Sequence, residues 1–326
     1  MTPIRQRRIA FAGFGRQARE YLLPAVRQRY GGKVHAFTRH AIAPEVGLAF
    51  DVDSVTSLSD LVACQTTHLF IVASRTANRL LLREAIERGF PNIFVEKPPT
   101  DTLSELVSLN SLAAARGVQV TVGMNFRHAP LLADAIGWVD AHGGLVDTIV
   151  EFSTSPIETL PGEYGVRAAV LEFGLHAVDL FFRLTGAAAL EGVSVRSVGD
   201  GWRVGAHALN GRASGTLRIA THGSHFHTRV GLIAGDGTVL ELDDFGAAKV
   251  FGPEVAGAAA GFPSAKGALS LHYPPRRSDL AKNGYSSLVA RFLDGAVDAG
   301  DSLGSLEESY RFVDYLAGLD PMPFSR

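Results

Sequence analysis

Five short apolar runs alternate with amphipathic stretches over the first third of the chain, and this alternation limits the fold more than any other feature. "RIAFAG", "KVHAF", "THLFIVA", "NIFVE" and "VQVTVG" have the length and continuity of buried strands. Helical patterns at Gln17–Arg29, Leu58–Cys64, Thr76–Arg88 and Leu103–Arg116 separate them. Strands and helices in that order and of those lengths imply an α/β unit with a parallel sheet wound on both faces. The punctuation agrees: Gly89 and Gly117 stand where helices end, and "TLSE" (Thr102 to Glu105) is a capping box. After Gly123 the rhythm changes. Helical patterns at Leu131–Ala141 and Ala168–Leu184 precede turn-rich strand-like segments, and further helical patterns at Leu288–Ala299 and Leu306–Leu316 follow. The expectation is two domains, 1–124 with the doubly wound parallel sheet and 125–326 as α+β with a mostly antiparallel open sheet. A length of 326 residues fits two domains of roughly 150 residues each.

The turn after the first run reads "GFGRQA", Gly13 to Ala18, and fits the pattern G-x-G-x-x-G/A. Gly13 permits a tight turn, Gly15 lets backbone N–H groups approach a pyrophosphate, and Ala18 is small enough for the helix to pack closely on the strand. Taken alone, such a pattern also describes a glycine turn without a ligand. Its place between the first strand and first helix of a parallel α/β pattern points to a dinucleotide. The tip of the second strand then faces the adenosine ribose, where an acidic residue selects NAD. Here "HAFTRH" supplies Thr38 and Arg39 instead. A guanidinium pairs with a 2′-phosphate and a threonine hydroxyl donates a hydrogen bond, so NADP(H) is favoured over NAD(H). The competing reading of Arg39 is a solvated loop arginine.

In "NIFVEKPPT" a charged pair, Glu96 and Lys97, follows an apolar run and precedes Pro98 and Pro99. Ligands of parallel sheets bind at the strands' carboxyl ends, where this pair falls, and the prolines keep Lys97 extended. An ammonium there can polarise a substrate oxygen during hydride transfer. An ordinary surface ion pair is the alternative. A second constellation lies on "AAVLEFGLHAVDLFFRLTG", apolar over most of its circumference, where Glu172, His176, Asp179 and Arg183 recur at helical spacing. The stripe is either a solvated row of charges or a histidine with a carboxylate one turn before it, able to exchange protons near neutral pH. Gly174, costly inside a helix, marks a close approach and favours the second.

"GFGRQA", "VEKP", "VGMNFR" and "GLHAVD" stand in the order and separations of the glucose-fructose oxidoreductase, inositol dehydrogenase and MocA (Gfo/Idh/MocA) family, and the chain resembles that family over nearly its whole length. The resemblance implies an N-terminal Rossmann domain, a C-terminal α/β domain whose open sheet supports a homodimer or homotetramer, and hydride transfer between NAD(P) and a hydroxyl or carbonyl of a sugar or cyclitol. It implies that Lys97 holds the reacting oxygen, that His176 is the acid/base and that Glu96 helps place the cofactor. Thr38 and Arg39 resemble the Ser-Arg pair of members that use NADP. The family usually carries aspartate four residues before the histidine, where this chain has Glu172, so the acid's role or the substrate is changed. The candidate catalytic residues are Lys97, His176 and Glu172. The candidate cofactor contacts are Gly13, Phe14, Gly15, Arg16, Gln17, Thr38, Arg39, Ala73, Ser74, Asn78, Glu96, Lys97 and Asn125. Arg127, Tyr164, Arg167 and Asp179 are candidate substrate contacts.

Bulk properties exclude other classes. A formal net charge of -2 lacks the basic excess of nucleic-acid or anionic-membrane binders, which leaves a small molecule or another protein as partner, with a small molecule expected as substrate. Cys64 stands alone and cannot form an internal disulfide, and no apolar run reaches the ~18 residues of a membrane span. The expected setting is the cytoplasm. Of "THGSHFHTR", with His222, His225 and His227, only the last two share a strand face, too few for zinc, and no metal is expected. Two other functions fit the same residues: a glycosidase assisted by a tightly held cofactor, and a non-catalytic sensor of NADP redox state.

Overall fold

The computed structural model describes residues 7–40, 42–154, 165–187, 190–198, 201–209, 211–221, 223, 225–252, 268–272 and 282–319, with 268–272 described as backbone. The chain divides into two compact units, 1–125 with 285–307 and 126–284 with 308–326.

The first unit holds a six-stranded parallel sheet made of β1 (Ile9–Ala12), β2 (Val34–Phe37), β3 (Val52–Val55), β4 (His68–Ile71), β5 (Asn92–Val95) and β6 (Gln119–Val122), in the order β3-β2-β1-β4-β5-β6. The central strands β1 and β4 are buried at every position, since helices cover both faces of such a sheet, and this is why they read as unbroken apolar runs. The helical connections are α1, which opens with a π-helical turn (Ala18–Leu22) and continues over Leu23–Arg27, then α2 (Pro44–Phe50), α3 (Leu58–Ala63), α4 (Arg75–Glu87) and α5 (Leu103–Arg116). The α5 cap forms as its sequence predicts at one end: the Thr102 hydroxyl accepts from Glu105 N at 3.2 Å. The Glu105 carboxylate reaches Asp101 N rather than closing on Thr102. Gly117 ends α5 in the left-handed region at φ 63°.

The sequence patterns omit α2 and β3. β3 is an edge strand with one buried residue, so the continuous apolar signal that marks its neighbours is absent. The expected boundary after residue 124 also needs correcting, because α9 (Tyr285–Asp294) belongs to the first unit. Its Phe292 ring packs against Phe70 and Phe94 at centroid distances of 5.1 and 5.8 Å and against His68 at 5.3 Å. An amphipathic pattern states that a helix buries one face, and is silent about which sheet receives it.

The second unit holds an eight-stranded sheet made of β7 (Leu145–Ser153), β8 (Glu191–Val198), β9 (Gly201–Ala208), β10 (Ser214–Ala220), β11 (His227–Ala234), β12 (Val239–Asp243), β13 (Ala247–Phe251) and β14 (Ala268–His272). Its order is β14-β13-β12-β11-β7-β10-β9-β8, antiparallel except for the parallel pair β7 and β10. The helices of this unit are α6 (Pro130–Ala141), α7 (Val166–Ala169) leading through a π-helical turn (Val170–Gly174) into α8 (Leu175–Thr185), and α10 (Glu307–Gly318), which begins at the unit boundary. Burial alternates along β7, with Val150 and Phe152 inside, as expected where one face of a sheet packs on helices. No helix among the described residues is long and apolar enough to cross a membrane.

Candidate active site

The first unit brings its candidates to the carboxyl ends of β1, β4, β5 and β6. Gly13 sits at φ 98°, and a Cβ there would lie 2.1 Å from the carbonyl oxygen of Val72, so only glycine allows β1 to turn against the end of β4. Gly15 faces open space, leaving its backbone accessible to a ligand. Ala18 is fully buried against the sheet. These three positions fit a dinucleotide diphosphate: a cradle that side chains would fill, opening into a helix. Phe14 contributes backbone only, since its ring packs edge-on to Phe11 and Phe50 inside the unit. Arg16 is exposed and paired with Glu20 at 2.8 Å.

Thr38 and Arg39 follow β2 directly. The Thr38 hydroxyl donates to the carbonyl of His40 and closes a turn that presents Arg39 to solvent, where it makes no ion pair among the described residues. Asn78, in the first turn of α4, is buried and bridges two strand ends. Its Oδ1 accepts from Ala73 N at 2.7 Å and its Nδ2 donates to the carbonyl of Glu96 at 3.5 Å. Ser74 stands exposed before α4, while Asn125 is buried after β6.

Glu96 is 6% exposed and continues the ladder beyond β5 through its N–H to the carbonyl of Ile71. The peptide bond from Lys97 to Pro98 is cis, and Lys97 itself is half-buried. Burial pushes the Glu96 carboxyl up to about 7, against the opposing pull of Lys97, a hydrogen bond from Gln17 and the hydroxyl of Tyr285. Glu96 and Lys97 are therefore no surface pair: the acid is packed beneath the end of the sheet and the lysine stands at its rim.

The second unit gathers the other group. The helical spacing that places Glu172, His176, Asp179 and Arg183 on one stripe assumes a regular α-helix, and here the structure departs from it. Glu172 lies in the π-helical turn Val170–Gly174 while His176 lies in the α-helical part, so the row is broken before the histidine. Arg183 is exposed, whereas His176 and Asp179 are 6% and 2% exposed, which rules out one solvated row. Gly174 lies against β10, where a Cβ would come within 3.1 Å of Ile219 Cδ1. The His176 ring stacks on Phe126, with centroids 4.4 Å apart, and Phe126 leans on Phe245.

Two candidate substrate contacts are committed to each other. Arg127 and Asp179 form a bidentate pair, with Arg127 Nε donating to Asp179 Oδ2 at 2.6 Å, and their side chains are 1% and 3% exposed. The pair locks the start of the second unit onto α8 three residues beyond His176, a positioning task. Arg167 is likewise paired with Asp314 at 2.8 Å. Tyr164 lies outside the described residues, as does His222. His225 and His227 rings stand 5.6 Å apart, and His227, Asp243 and Asp244 bring ligand-type atoms within 4.8 Å of one another. Hydrogen bonds account for that cluster: His227 Nε2 meets Asp243 Oδ1 at 2.6 Å, and Asp244 Oδ1 accepts from Thr228 N.

Two residues gain a role only from the structure: Phe126 beneath His176, although it lies within "VGMNFR", and Tyr285 beside Glu96. Both are aromatic side chains whose partners lie far away in the chain.

Comparison with known proteins agrees with this geometry. Residues 7–124 match the model of the GFO_IDH_MocA oxidoreductase family, NAD-binding Rossmann fold. An uncharacterised oxidoreductase of Escherichia coli, YhhX, is 29% identical over 199 residues, which cover 58% of this chain and 56% of that relative. The chain thus matches little more than half the length of this curated relative. A dehydrogenase from Chromobacterium violaceum superposes with a TM-score of 0.83 at 23% identity, covering 96% of this chain and 95% of that one. A Gfo/Idh/MocA family oxidoreductase from Vibrio cholerae superposes with a TM-score of 0.78 at 18% identity, covering 96% and 99%. Residues 7–124 thus match the Gfo/Idh/MocA oxidoreductase family in sequence, and the whole chain shares the fold of these solved structures.

Proposed function

We propose that the chain is an NADP(H)-dependent dehydrogenase or reductase acting on a hydroxyl or carbonyl carbon of a sugar, cyclitol or related small molecule. The observation that carries this is the end of β5, where Lys97 stands at the carboxyl edge of the same sheet whose β1 turn is fitted to a dinucleotide. Proteins of this fold include a myo-inositol dehydrogenase from Corynebacterium glutamicum, a 3-ketoreductase from Actinomadura kijaniata solved with NADP and others solved with NAD, which supports the substrate class and a nicotinamide cofactor. Gly13, Gly15 and the first turn of α1 would hold the diphosphate, with Arg39 and Thr38 at the adenosine phosphate. When bound, the cofactor donates or accepts the hydride. Lys97 steadies negative charge on the reacting oxygen through its ammonium. His176 is the acid/base, exchanging a proton at a ring nitrogen, and Phe126 fixes the plane of the ring. Glu172 takes the place of the family's aspartate before the histidine and is half-buried. The open sheet of the second unit, with Val146 and Phe251 exposed on its strands, is proposed to support self-association.

Lys97→Met tests this reading. The variant keeps the apolar stem and loses the ammonium. Single-turnover NADPH oxidation, with a substrate found by screening sugar and cyclitol carbonyls, is expected to slow by roughly a hundredfold while NADPH affinity changes little. Hydride transfer at the parent rate would remove Lys97 from the chemistry.

A further inference from the structure

Tyr285 opens α9, the helix that joins the first unit from far along the chain. Its side chain is 7% exposed, its ring lies 5.6 Å from that of Tyr21, and its hydroxyl accepts a short hydrogen bond from Gln17 Nε2. The same Gln17 amide donates to Glu96 Oε1 at 3.4 Å, and the Tyr285 hydroxyl lies near enough to the Glu96 carboxyl to favour its ionised form. Three residues from three elements therefore share one buried polar cluster. Gln17 stands two residues beyond Gly15 on the nucleotide turn, Glu96 is the residue before Lys97, and Tyr285 ties the two together. Gly123 closes the cluster from the end of β6, where a Cβ would come within 3.2 Å of the Glu96 carboxyl.

We propose that Tyr285 is a positioning residue of the nucleotide site, holding the nucleotide turn and the Glu96–Lys97 strand end in register through Gln17 and Glu96. The inference rests on the proposed function, since it assigns Tyr285 a task in the same site. Burial, and then the charge of Glu96, hold the phenol well above its usual range, so it stays protonated beside the carboxylate. The groups facing Glu96 are the ammonium of Lys97, the phenol of Tyr285 with Tyr21 behind it, and the neutral amide of Gln17. A carboxylate joined through Gln17 to a turn that takes an anionic diphosphate opposes nucleotide binding when ionised. Binding is then favoured by the protonated acid, and nucleotide affinity falls as pH rises through about 7.

The experiment is a fluorescence titration of NADPH across neutral pH with the parent chain, Tyr285→Phe, Glu96→Gln and Leu288→Ala. Tyr285→Phe keeps the buried ring and removes the hydroxyl near the carboxylate. NADPH binding is expected to weaken by about three- to tenfold, and the pH at which affinity falls is expected to move upward, because the anion has lost stabilisation. Glu96→Gln is expected to flatten the pH dependence. Leu288→Ala, a packing change on the same buried helix face, is expected to lower thermal stability and leave that pH in place. A Phe variant with the parent's affinity and pH profile, or a Gln variant that keeps the profile, overturns the role of Tyr285. A parent chain that binds no NADPH at any pH overturns the proposed function itself, a distinct result.

Discussion

The proposed preference for NADP(H) over NAD(H) rests on Arg39. This arginine stands exposed on a turn closed by Thr38, directly after β2, and no acidic side chain takes its place there. A guanidinium that pairs with a 2′-phosphate contributes about 1.5 to 3 kcal/mol, so Arg39→Ala is expected to reduce the preference for NADPH over NADH by roughly ten- to a hundredfold. Parallel titrations with both nucleotides measure it, and tighter NADH binding by the parent would show that Arg39 is only a solvated loop residue. The chemical type of the residues at this site was readable from the chain: glycines at the turn, arginine at the second strand tip, lysine at the fifth. Commitment was not. Arg127 and Asp179 look like free polar groups in the sequence, and become a buried pair only once the start of the second unit is folded onto α8.

At the level of elements, the strand–turn–helix of β1 and α1 depends on one backbone position. Alanine at Gly13 would meet the Val72 carbonyl at 2.1 Å and would have to hold φ near 98°. Because the obstacle is backbone in the adjacent strand, β1 or β4 must shift. Gly13→Ala is therefore expected to cost about 2 to 4 kcal/mol, measured by denaturant or thermal unfolding, with nucleotide binding lost. Stability near that of the parent would mean that the turn adapts. Buried parallel strands announce themselves because both faces are covered, which made β1, β4, β5 and β6 legible. The two π-helical turns were not. A pattern read at 3.6 residues per turn cannot register an added residue, and the insertion at Val170–Gly174 moves Glu172 relative to His176.

For the whole molecule, the path of the chain matters more than its composition. The nucleotide-binding sheet is completed by α9, whose Leu288, Val289, Phe292 and Leu293 are buried. A fragment ending at residue 125 would leave the Phe70 and Phe94 region and His68 uncovered, and would lack Tyr285 beside Glu96. Such a fragment is expected to bind a hydrophobic dye, to unfold at lower temperature than the intact protein and to bind NADPH poorly. A monomeric fragment with native-like melting would show that α9 is dispensable. The amphipathic sequence around Leu288 revealed a helix, and left open which unit it completes.

The same path sets a timetable for synthesis. A ribosome releases the six strands of the nucleotide-binding sheet about 160 residues before the helix that covers them, roughly ten to thirty seconds at ~5–20 residues per second. During that interval the nascent sheet has an apolar face open and its nucleotide site incomplete. The sheet is thus completed only after the whole of the second unit's sheet has been made, a window in which its apolar face has no covering helix.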